Sequence, residues 1–412
     1  MSLSTPHSPV KVLIADDSSF MRAALSRMVG SDDSLCVVGT AQDGLETLAK
    51  IAALHPDVVT LDLDMPGLSG LETLKRVMSE TLRPAVIVVS ALARQGAEAT
   101  LEAFELGAFD CIAKQLSYDS ADVIKIQNEL VGKIKAAAGP RLLAPRPSNR
   151  LDRPALHPVP VHHTAAATVP SITAIAIAAS TGGPKALEGV LSTLPADLPA
   201  AILIVQHMPI GFAGPFARRL NELCKLKSHE AAEGDLITAG HVYLAPAGNH
   251  LTVRRHSSAD VLLQLSALPS NLLHIPSADV MISSVAEVFG SSAMGIIMTG
   301  MGDDGALGMQ AIFREGGVTL GQDQATCVVY GMPRSCAERG VLNQVAALPD
   351  IPLHILAAAA VRLGVRSSEE SYHPPIHFPY NSSSAIAWPR CLHKFGARRT
   401  NISSCSGSTS AW

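Results

Sequence analysis

The sequence has few aromatic residues and no apolar run long enough to cross a membrane. Phe, Trp and Tyr make up only 4% of its 412 residues, although 47% are hydrophobic and Ala and Gly are abundant. This composition favours helices packed closely on parallel sheets. A membrane-spanning helix needs about 20 consecutive apolar residues, so we expect no direct membrane insertion.

The chain also lacks blocks of like charge and paired cysteine motifs. Its net charge is −4, so a nucleic-acid partner is not expected. Seven scattered cysteines without a C-x-x-C pair are typical of cytosolic thiols rather than of disulfides or a metal site. The apolar run Val10–Ala15 is too short for a signal peptide. We therefore expect a cytoplasmic protein, and its length predicts two or three domains.

The first 138 residues alternate between strand-like and helix-like segments. Each apolar run of four to eight residues is followed by a segment with helical spacing. Five such units predict a parallel sheet covered on both faces, with reactive groups at the carboxyl ends of its strands. The predicted strands are Val10–Ala15, Leu35–Gly39, Asp57–Leu61, Ala85–Val89 and Phe109–Ala113.

Polar residues of three chemical kinds follow these strands. Asp16 and Asp17 follow the first strand, Asp62 the third, Ser90 the fourth and Lys114 the fifth. Three carboxylates in one crevice repel one another unless a hard cation such as Mg²⁺ lies among them. A hydroxyl and an ammonium opposite them could hold a phosphoryl group carried by a carboxylate.

This set resembles the receiver domain of two-component response regulators. The resemblance implies a flavodoxin-like domain over residues 8–138, Mg²⁺ as its cofactor and a histidine kinase as phosphodonor. It makes Asp62, in Thr60-Leu-Asp-Leu-Asp-Met-Pro-Gly67, the phosphoryl acceptor. The implied metal ligands are Asp16, Asp17, Asp62 and the backbone carbonyl of Asp64, and the implied phosphoryl sensors are Ser90 and Lys114.

Two positions depart from the receiver pattern. Receivers usually follow the lysine with proline, where this chain has Gln115, and many have an aromatic residue where it has Cys111. The sequence therefore does not determine the shape of the loop after Lys114, nor whether the domain has an aromatic switch.

Two segments are expected to lack packed structure. Residues 139–170 are rich in proline and arginine, which predicts an extended linker. His162-His163 within it has no acid or cysteine nearby, so a metal site is not expected there. Residues 366–412 have no helical or strand period and are predicted to be a disordered tail.

The stretch around Ser180 organises the second domain. A buried strand, Ile172–Ala179, leads into Ser180-Thr-Gly-Gly-Pro184, and helical spacing resumes over Lys185–Leu191. A hydroxyl at the carboxyl end of a buried strand lies where α/β sheets open their ligand crevice. Two interpretations remain open: Ser180 is a nucleophile on a tight turn, or it is the N-cap of the helix.

Two further predicted strands end in residue types that serine hydrolases use. Ala201–Val205 leads to His207, and Met294–Met298 leads to Thr299-Gly-Met-Gly-Asp303-Asp304. Serine needs an imidazole as base, and the imidazole needs a carboxylate to orient it. Alternatives for these roles are His241, His250, His274 and Asp279, the last of which we interpret instead as the N-terminal cap of the next helix.

These motifs, with Cys327-Val-Val-Tyr-Gly-Met-Pro-Arg334, resemble the catalytic domain of the chemotaxis protein-glutamate methylesterases, the CheB family. The resemblance implies a doubly wound α/β hydrolytic domain over residues 171–365, with a mainly parallel sheet. It makes Ser180 the nucleophile, His207 the base and Asp304 the orienting acid. The N–H of Met301 would donate to the oxyanion, and the hydroxyl of Thr181 would pack near the histidine.

The resemblance implies a phosphorylation-activated enzyme that demethylates glutamyl esters on chemoreceptors, and that could also deamidate their glutamines. It also implies that the ester chemistry needs no cofactor. A receiver domain that lies over the crevice near Ser180 would inhibit ester hydrolysis. We therefore expect deletion of residues 1–138 to raise the esterase activity. One alternative is a DNA-binding response regulator, which the lack of a basic helix-turn-helix disfavours. Another is a receiver joined to an inactive binding module, which the presence of all three hydrolase residues disfavours.

Overall fold

A computed structural model describes residues 8–90, 94–114, 120–142 and 172–360. Gln115, the predicted linker beyond residue 142 and the predicted tail lie outside these ranges. None of the described helices combines the length and the apolar character that a bilayer span requires.

The first sheet has five parallel strands in the order β2-β1-β3-β4-β5. The strands are β1 (Val10–Ala15), β2 (Leu35–Ala41), β3 (Val58–Asp62), β4 (Ala85–Ser90) and β5 (Asp110–Ala113). The helices between and after them are α1 (Ser19–Val29), α2 (Gly44–Leu54), α3 (Gly70–Ser79), α4 (Arg94–Leu106) and α5 (Ser120–Leu142). Because the strand order reverses between β1 and β3, the loops after these two strands open a crevice.

Local sequence signals explain where these helices begin. The hydroxyl of Ser18 accepts from the N–H of Met21 at the start of α1. At α3, Ser69 and Glu72 form a capping box in which each side chain accepts from the other's backbone N–H. The apolar strands lie buried between the helices.

The second sheet has seven parallel strands in the order β14-β13-β12-β6-β7-β9-β8. These are β6 (Ala174–Ala179), β7 (Ala201–Gln206), β8 (Lys227–Glu230), β9 (His241–Leu244), β12 (Ala293–Ile297), β13 (Val318–Gln322) and β14 (Gln344–Ala346). A separate antiparallel hairpin joins β10 (His250–Arg255) to β11 (Val261–Ser266). The helices are α6 (Gly183–Leu191), α7 (Ala213–Leu223), α8 (Ala278–Phe289), α9 (Ala306–Arg314), α10 (Met332–Glu338) and α11 (Ile351–Ala360).

The central strand β6 presents different side chains to its two faces. Ile175 and Ile177 pack in a cluster with side chains of α6 and α7. Ala174, Ala176 and Ala178 face the other side, where α8 and α9 cover them. Small side chains on that face let the helices approach closely, which explains how a core forms with so few aromatic residues.

The predicted fold class is confirmed, and the differences lie in short elements. Strands β8 and β14 have four and three residues, and β8 reads Lys-Ser-His-Glu with only Ser228 buried. Such strands show no apolar run or alternation, so sequence pattern does not reveal them. Helix α5 continues to Leu142, four residues beyond the predicted domain boundary.

Candidate functional site

The first sheet forms an acidic pocket at the carboxyl ends of β1 and β3. One carboxylate oxygen each from Asp16, Asp17 and Asp62 lies within 4.8 Å of the others. Asp16 and Asp62 are buried, whereas Asp17 is exposed. The ammonium of Lys114 lies 2.6 Å from Asp62 Oδ2 and 3.2 Å from Asp16 Oδ2.

Burial and charge act together on the ionisation of this pocket. Burial raises the pKa of Asp62, and the Lys114 ammonium only partly offsets it. Burial also opposes the charge on Lys114, but the Asp62 and Asp16 carboxylates outweigh it and raise the Lys114 pKa. Lys114 and the Arg22 guanidinium, which donates to the backbone carbonyls of Asp16 and Asp17, do not balance three carboxylates. Negative charge is left in excess, and oxygen ligands suit a hard divalent ion. The residues present therefore fit Mg²⁺.

The remaining predicted receiver residues lie near this pocket. The N–H of Asp64 donates to Asp62 Oδ1 at 3.1 Å, and the Asp64 side chain is exposed. The strand register pairs Asp62 with Val89, so Ser90 is the next residue along β4. Its buried hydroxyl donates to the Gly96 carbonyl. Cys111 is buried in the domain core.

In the second sheet, Ser180 follows β6 and lies between the strands that carry the other candidates. The register pairs Ala179 with Gln206, so Ser180 and His207 are the next residues on adjacent strands. The N-cap of α6 is Gly182, at φ 77°, a conformation that favours glycine. The N-cap interpretation of Ser180 is therefore wrong. Among the described residues, none bonds to the Ser180 hydroxyl, and no hydrogen bond joins it to His207.

Backbone contacts fix the loop of Ser180. Its N–H donates to the Thr299 carbonyl, and its carbonyl accepts from Gly183 N–H and from Gln206 Nε2. The same Gln206 amide donates to the His207 carbonyl, which ties the β6 and β7 loops together. A Cβ at Gly300 would lie 2.8 Å from Ser180 Cβ, so that glycine permits the close approach of the third loop.

His207 is joined to Asp304, which follows β12 on the other side of β6. His207 Nε2 lies 2.8 Å from Asp304 Oδ2, and the two side chains are 8% and 12% exposed. His207 Nδ1 is buried and has no hydrogen-bond partner among the described residues. Because the carboxylate accepts from Nε2–H, a neutral His207 carries its lone pair on Nδ1.

Asp304 is held by the N-terminus of α8. Besides His207, its carboxylate accepts from Ser277 Oγ at 2.8 Å, Ala278 N–H at 2.7 Å and Asp279 N–H at 3.0 Å. Burial opposes its charge, but the hydrogen bonds and the nearby imidazole outweigh it. They hold the pKa of Asp304 well below its usual range. The carboxylate is therefore an anion that is held in place beside His207.

The neighbouring acids have different surroundings. Asp303 is exposed. Asp279 was predicted to cap the helix that follows it, but Ser277 is the N-cap of α8. The Asp279 carboxylate instead accepts from the N–H groups of Leu307 and Gly308, in the first turn of α9. That interpretation was wrong because the helix that Asp279 caps is its neighbour in space, not in sequence.

The alternative histidines have other positions. His241 Nδ1 lies 3.2 Å from the Ala239 carbonyl at the amino-terminal end of β9, whereas the candidate residues follow the carboxyl ends of the strands. His250 is fully buried and bonded through both ring nitrogens. His274 stacks on His207, with ring centroids 4.0 Å apart and planes at 14°. Sequence reasoning considered His274 only as a rival to His207 and missed that the two lie together.

Met301, the predicted oxyanion donor, and Thr181, the predicted hydroxyl neighbour of the histidine, both contact the first domain. No described residue accepts from the Met301 N–H, and the Met301 side chain packs against Gly132 of α5. The Thr181 hydroxyl donates to Asp110 Oδ2 at the start of β5. Asp110 Oδ1 in turn lies 3.3 Å from Lys133 Nζ on α5.

A second contact between the domains joins α4 to α6 and α7. Arg219 on α7 forms ion pairs with Glu105 of α4 and with Glu188 of α6. Leu101 of α4 is buried in the same cluster as α6 and α7 side chains. The first domain therefore contacts the second both at the loop of Ser180 and beside it.

The chain matches two family models and many curated sequences. Residues 12–124 match the response regulator receiver domain, and residues 175–355 match the CheB methylesterase. A protein-glutamate methylesterase/protein-glutamine glutaminase 2 of Nitratidesulfovibrio vulgaris (strain Hildenborough) is 44% identical over 372 residues, covering 84% of this chain and 98% of the relative. One from Pyrococcus horikoshii is 41% identical over 355 residues, covering 86% and 95%.

Solved structures match the two domains separately. The Thermotoga maritima CheB methylesterase catalytic domain is 35% identical, with a TM-score of 0.44, covering 45% of this chain and 98% of that one. The response regulator domain of Thermotoga maritima CheB is 41% identical, with a TM-score of 0.29, covering 32% and 97%. From the similarity over most of its length, the chain belongs to the protein-glutamate methylesterase/protein-glutamine glutaminase family, the CheB methylesterases with an attached receiver domain.

Proposed function

We propose that the chain is a phosphorylation-activated methylesterase that hydrolyses glutamyl methyl esters with Ser180, His207 and Asp304. The observation that carries this proposal is the orientation of His207. Asp304 accepts from Nε2, which leaves the buried Nδ1 as a free acceptor, and the strand register makes Ser180 and His207 the next residues on adjacent strands. A serine hydroxyl becomes a useful nucleophile when such an acceptor takes its proton.

In the proposed reaction, Ser180 Oγ attacks the ester carbonyl carbon while His207 Nδ1 takes the hydroxyl proton. The tetrahedral intermediate collapses as His207 returns that proton to the departing methoxide, which leaves as methanol. Water then attacks the acyl-serine with His207 again as base, and glutamate and free Ser180 are released. Asp304 stays ionised throughout and stabilises the imidazolium in each half-reaction.

The backbone N–H of Met301 supports the charge that develops on the carbonyl oxygen. It follows Gly300, which lies against Ser180, and no described group competes for its hydrogen. One such donor contributes about 10²–10³-fold in rate in other serine hydrolases. Because a glutamine side chain yields the same acyl-serine with ammonia as leaving group, the same residues serve deamidation.

The proposed substrates are methylated and amidated side chains on the cytoplasmic helices of chemoreceptors. The names of the relatives, protein-glutamate methylesterase and protein-glutamine glutaminase, support hydrolysis of glutamyl methyl esters and glutamine amides. The receiver supports a histidine kinase as phosphodonor and a place in chemotaxis or another chemosensory pathway in the cytoplasm.

In the receiver, we propose that Asp62 accepts the phosphoryl group and that Ser90 and Lys114 contact it. Asp16, Asp17, Asp62 and the Asp64 carbonyl would hold Mg²⁺, which when bound neutralises charge on the transferring phosphoryl oxygens. The 2.6 Å contact between Lys114 and Asp62 supports a role for Lys114 in pairing with a phosphoryl group there.

We propose that the unphosphorylated receiver inhibits hydrolysis by lying against the Ser180 loop. Asp110 takes the hydroxyl of Thr181, the residue after Ser180, and α5 covers Met301. A helical receptor substrate would compete for this space. Lys114 directly follows β5, whose first residue is Asp110, so one short strand joins the phosphoryl site to the contact.

Reversing the charge of Glu105 is expected to raise basal esterase activity several-fold. Glu105→Lys removes an ion pair with Arg219 and places two cations side by side, which weakens docking of the receiver. Glu80→Lys, at an exposed residue directly after α3 whose side chain has no partner among the described residues, is the matched control. The measurement is the hydrolysis rate without phosphodonor. Equal rates for Glu105→Lys and wild type would argue against inhibition by this interface.

The proposed activity is tested by methanol release from methylated receptor fragments. The full chain is expected to release methanol, faster with a small-molecule phosphodonor and Mg²⁺, and Asp62→Ala is expected to keep the basal rate but lose the stimulation. No methanol release under any condition would favour the alternative of a receiver joined to an inactive binding module.

A further inference from the structure

Among the described residues, the His207 ring makes one in-plane hydrogen bond, so its orientation needs a second restraint. The bond from Nε2 to Asp304 fixes one edge of the imidazole. Rotation about the line of this bond would change the direction in which Nδ1 points without breaking the bond to Asp304. Nδ1 itself has no partner among the described side chains and cannot oppose such rotation.

The face of the ring supplies that restraint. His274 lies flat against His207, with centroids 4.0 Å apart and planes inclined by 14°. In this arrangement the ring faces meet and the nitrogens point sideways, so His274 does not exchange a proton with His207. A flat neighbour at van der Waals distance blocks the rotation that the Asp304 bond allows.

Hydrogen bonds fix the backbone on either side of His274. The fully buried His250 accepts from Ser277 N–H at Nδ1, so its Nε2–H donates to the Pro269 carbonyl. The carbonyl of Ile275 accepts from Gly248 N–H. The chain is thus bonded at Pro269 before the stacked ring and at Ile275 and Ser277 after it.

The same segment also binds the acid. Ser277 and the two residues after it donate three hydrogen bonds to the Asp304 carboxylate. One stretch of six residues, 274–279, therefore contacts His207 through its ring face and holds the carboxylate that contacts the ring edge. This arrangement fixes the His207 imidazole relative to the His274 ring and to the Asp304 carboxylate.

The charge of His274 is compatible with this role. Burial, together with the neighbouring His207 and Lys133 of α5, lowers its pKa to about 4, although Asp304 and Glu129 of α5 act in the opposite direction. A neutral ring at neutral pH does not repel the imidazolium that forms when His207 takes a proton. A charged neighbour at 4.0 Å would do so.

We propose that His274 is a positioning residue that holds the His207 ring in the plane from which Nδ1 reaches Ser180. This inference rests on the proposed function, in which His207 is the base. It assigns His274 a role in the turnover step rather than in substrate affinity, because its ring acts on His207 and not on the ester.

The test compares a flat apolar ring with a branched side chain in the full-length protein. His274→Leu is expected to lower kcat for methyl-ester hydrolysis about 10- to 100-fold with KM within about twofold, because small misplacements of a reacting group are costly. His274→Phe is expected to keep at least about a third of kcat. The exposed His256→Leu is the control and should match wild type.

Three outcomes would overturn the proposal. If His274→Leu keeps wild-type kcat while Ser180→Ala is inactive, the stack has no role although the catalytic residues are right. If Phe and Leu fail equally with unchanged melting temperature, a ring nitrogen rather than the flat ring is needed. If the loss lies in KM alone, His274 contacts substrate instead. A Ser180→Ala variant that remains active would contradict the proposed function itself.

Discussion

Ser180→Ala is expected to abolish methyl-ester hydrolysis while leaving the fold intact. Removing the nucleophile of a Ser-His-Asp hydrolase lowers kcat about 10⁶-fold. The activity that is left comes from oxyanion stabilisation and substrate binding. The fold should tolerate the change because the described contacts of Ser180 use its backbone N–H and carbonyl, not its hydroxyl. Methanol release and thermal unfolding of the same preparation measure the two effects.

One result would contradict the assignment of Ser180 as the nucleophile. A Ser180→Ala variant with more than about a tenth of the wild-type rate would require another attacking group. A variant that is inactive because it has unfolded is recognised by its melting temperature, and it would leave Ser180→Cys, which conserves a nucleophile, as the decisive comparison.

Asp304→Asn is expected to lose several orders of magnitude in rate. All four groups bonded to this carboxylate donate hydrogens to it, from His207 and from the N-terminus of α8. A carboxamide has one oxygen and one NH₂, so it must turn a donor toward another donor. Where His207 loses its acceptor, the wrong tautomer becomes available, a change that costs about 10⁴-fold in a well-studied serine protease.

The adjacent Asp303→Asn is the matched control for that prediction. Its side chain is exposed, and no described residue bonds to its carboxylate. We expect less than a twofold change in kcat/KM for this variant. If instead Asp303→Asn is inactive and Asp304→Asn is active, the roles of the two acids are reversed and the proposed loop geometry is wrong.

Much of the fold could be predicted because its signals are local. A buried parallel strand appears as an uninterrupted apolar run, and the residue after it stands at the open edge of the sheet. For that reason Asp16, Asp62, Ser180 and His207 could be identified as candidates and assigned to two crevices. The family and the enzyme class were confirmed by the comparisons, whereas the roles of the individual residues stay predictions.

The rest depends on contacts between segments that are distant in sequence. Nothing near Asp279 indicates that it caps α9, because that helix begins 27 residues later. The stacking of His274 on His207 likewise requires knowing how the 274–279 segment crosses the sheet edge. The bond between Asp110 and Thr181 spans 71 residues and two domains, and neither residue belongs to a pattern that reveals it.

The contact between Asp110 and Thr181 has a consequence for the receiver as well as for the esterase. If phosphorylation weakens this contact and so favours ligand binding beside Ser180, thermodynamic linkage requires the reverse effect of equal size. A molecule that occupies the crevice and displaces the receiver must tighten the binding of a phosphoryl mimic at Asp62 by the same factor. Receptor segments awaiting demethylation would then act as ligands that retain the enzyme in its active form, so that substrate abundance itself prolongs the response to the kinase.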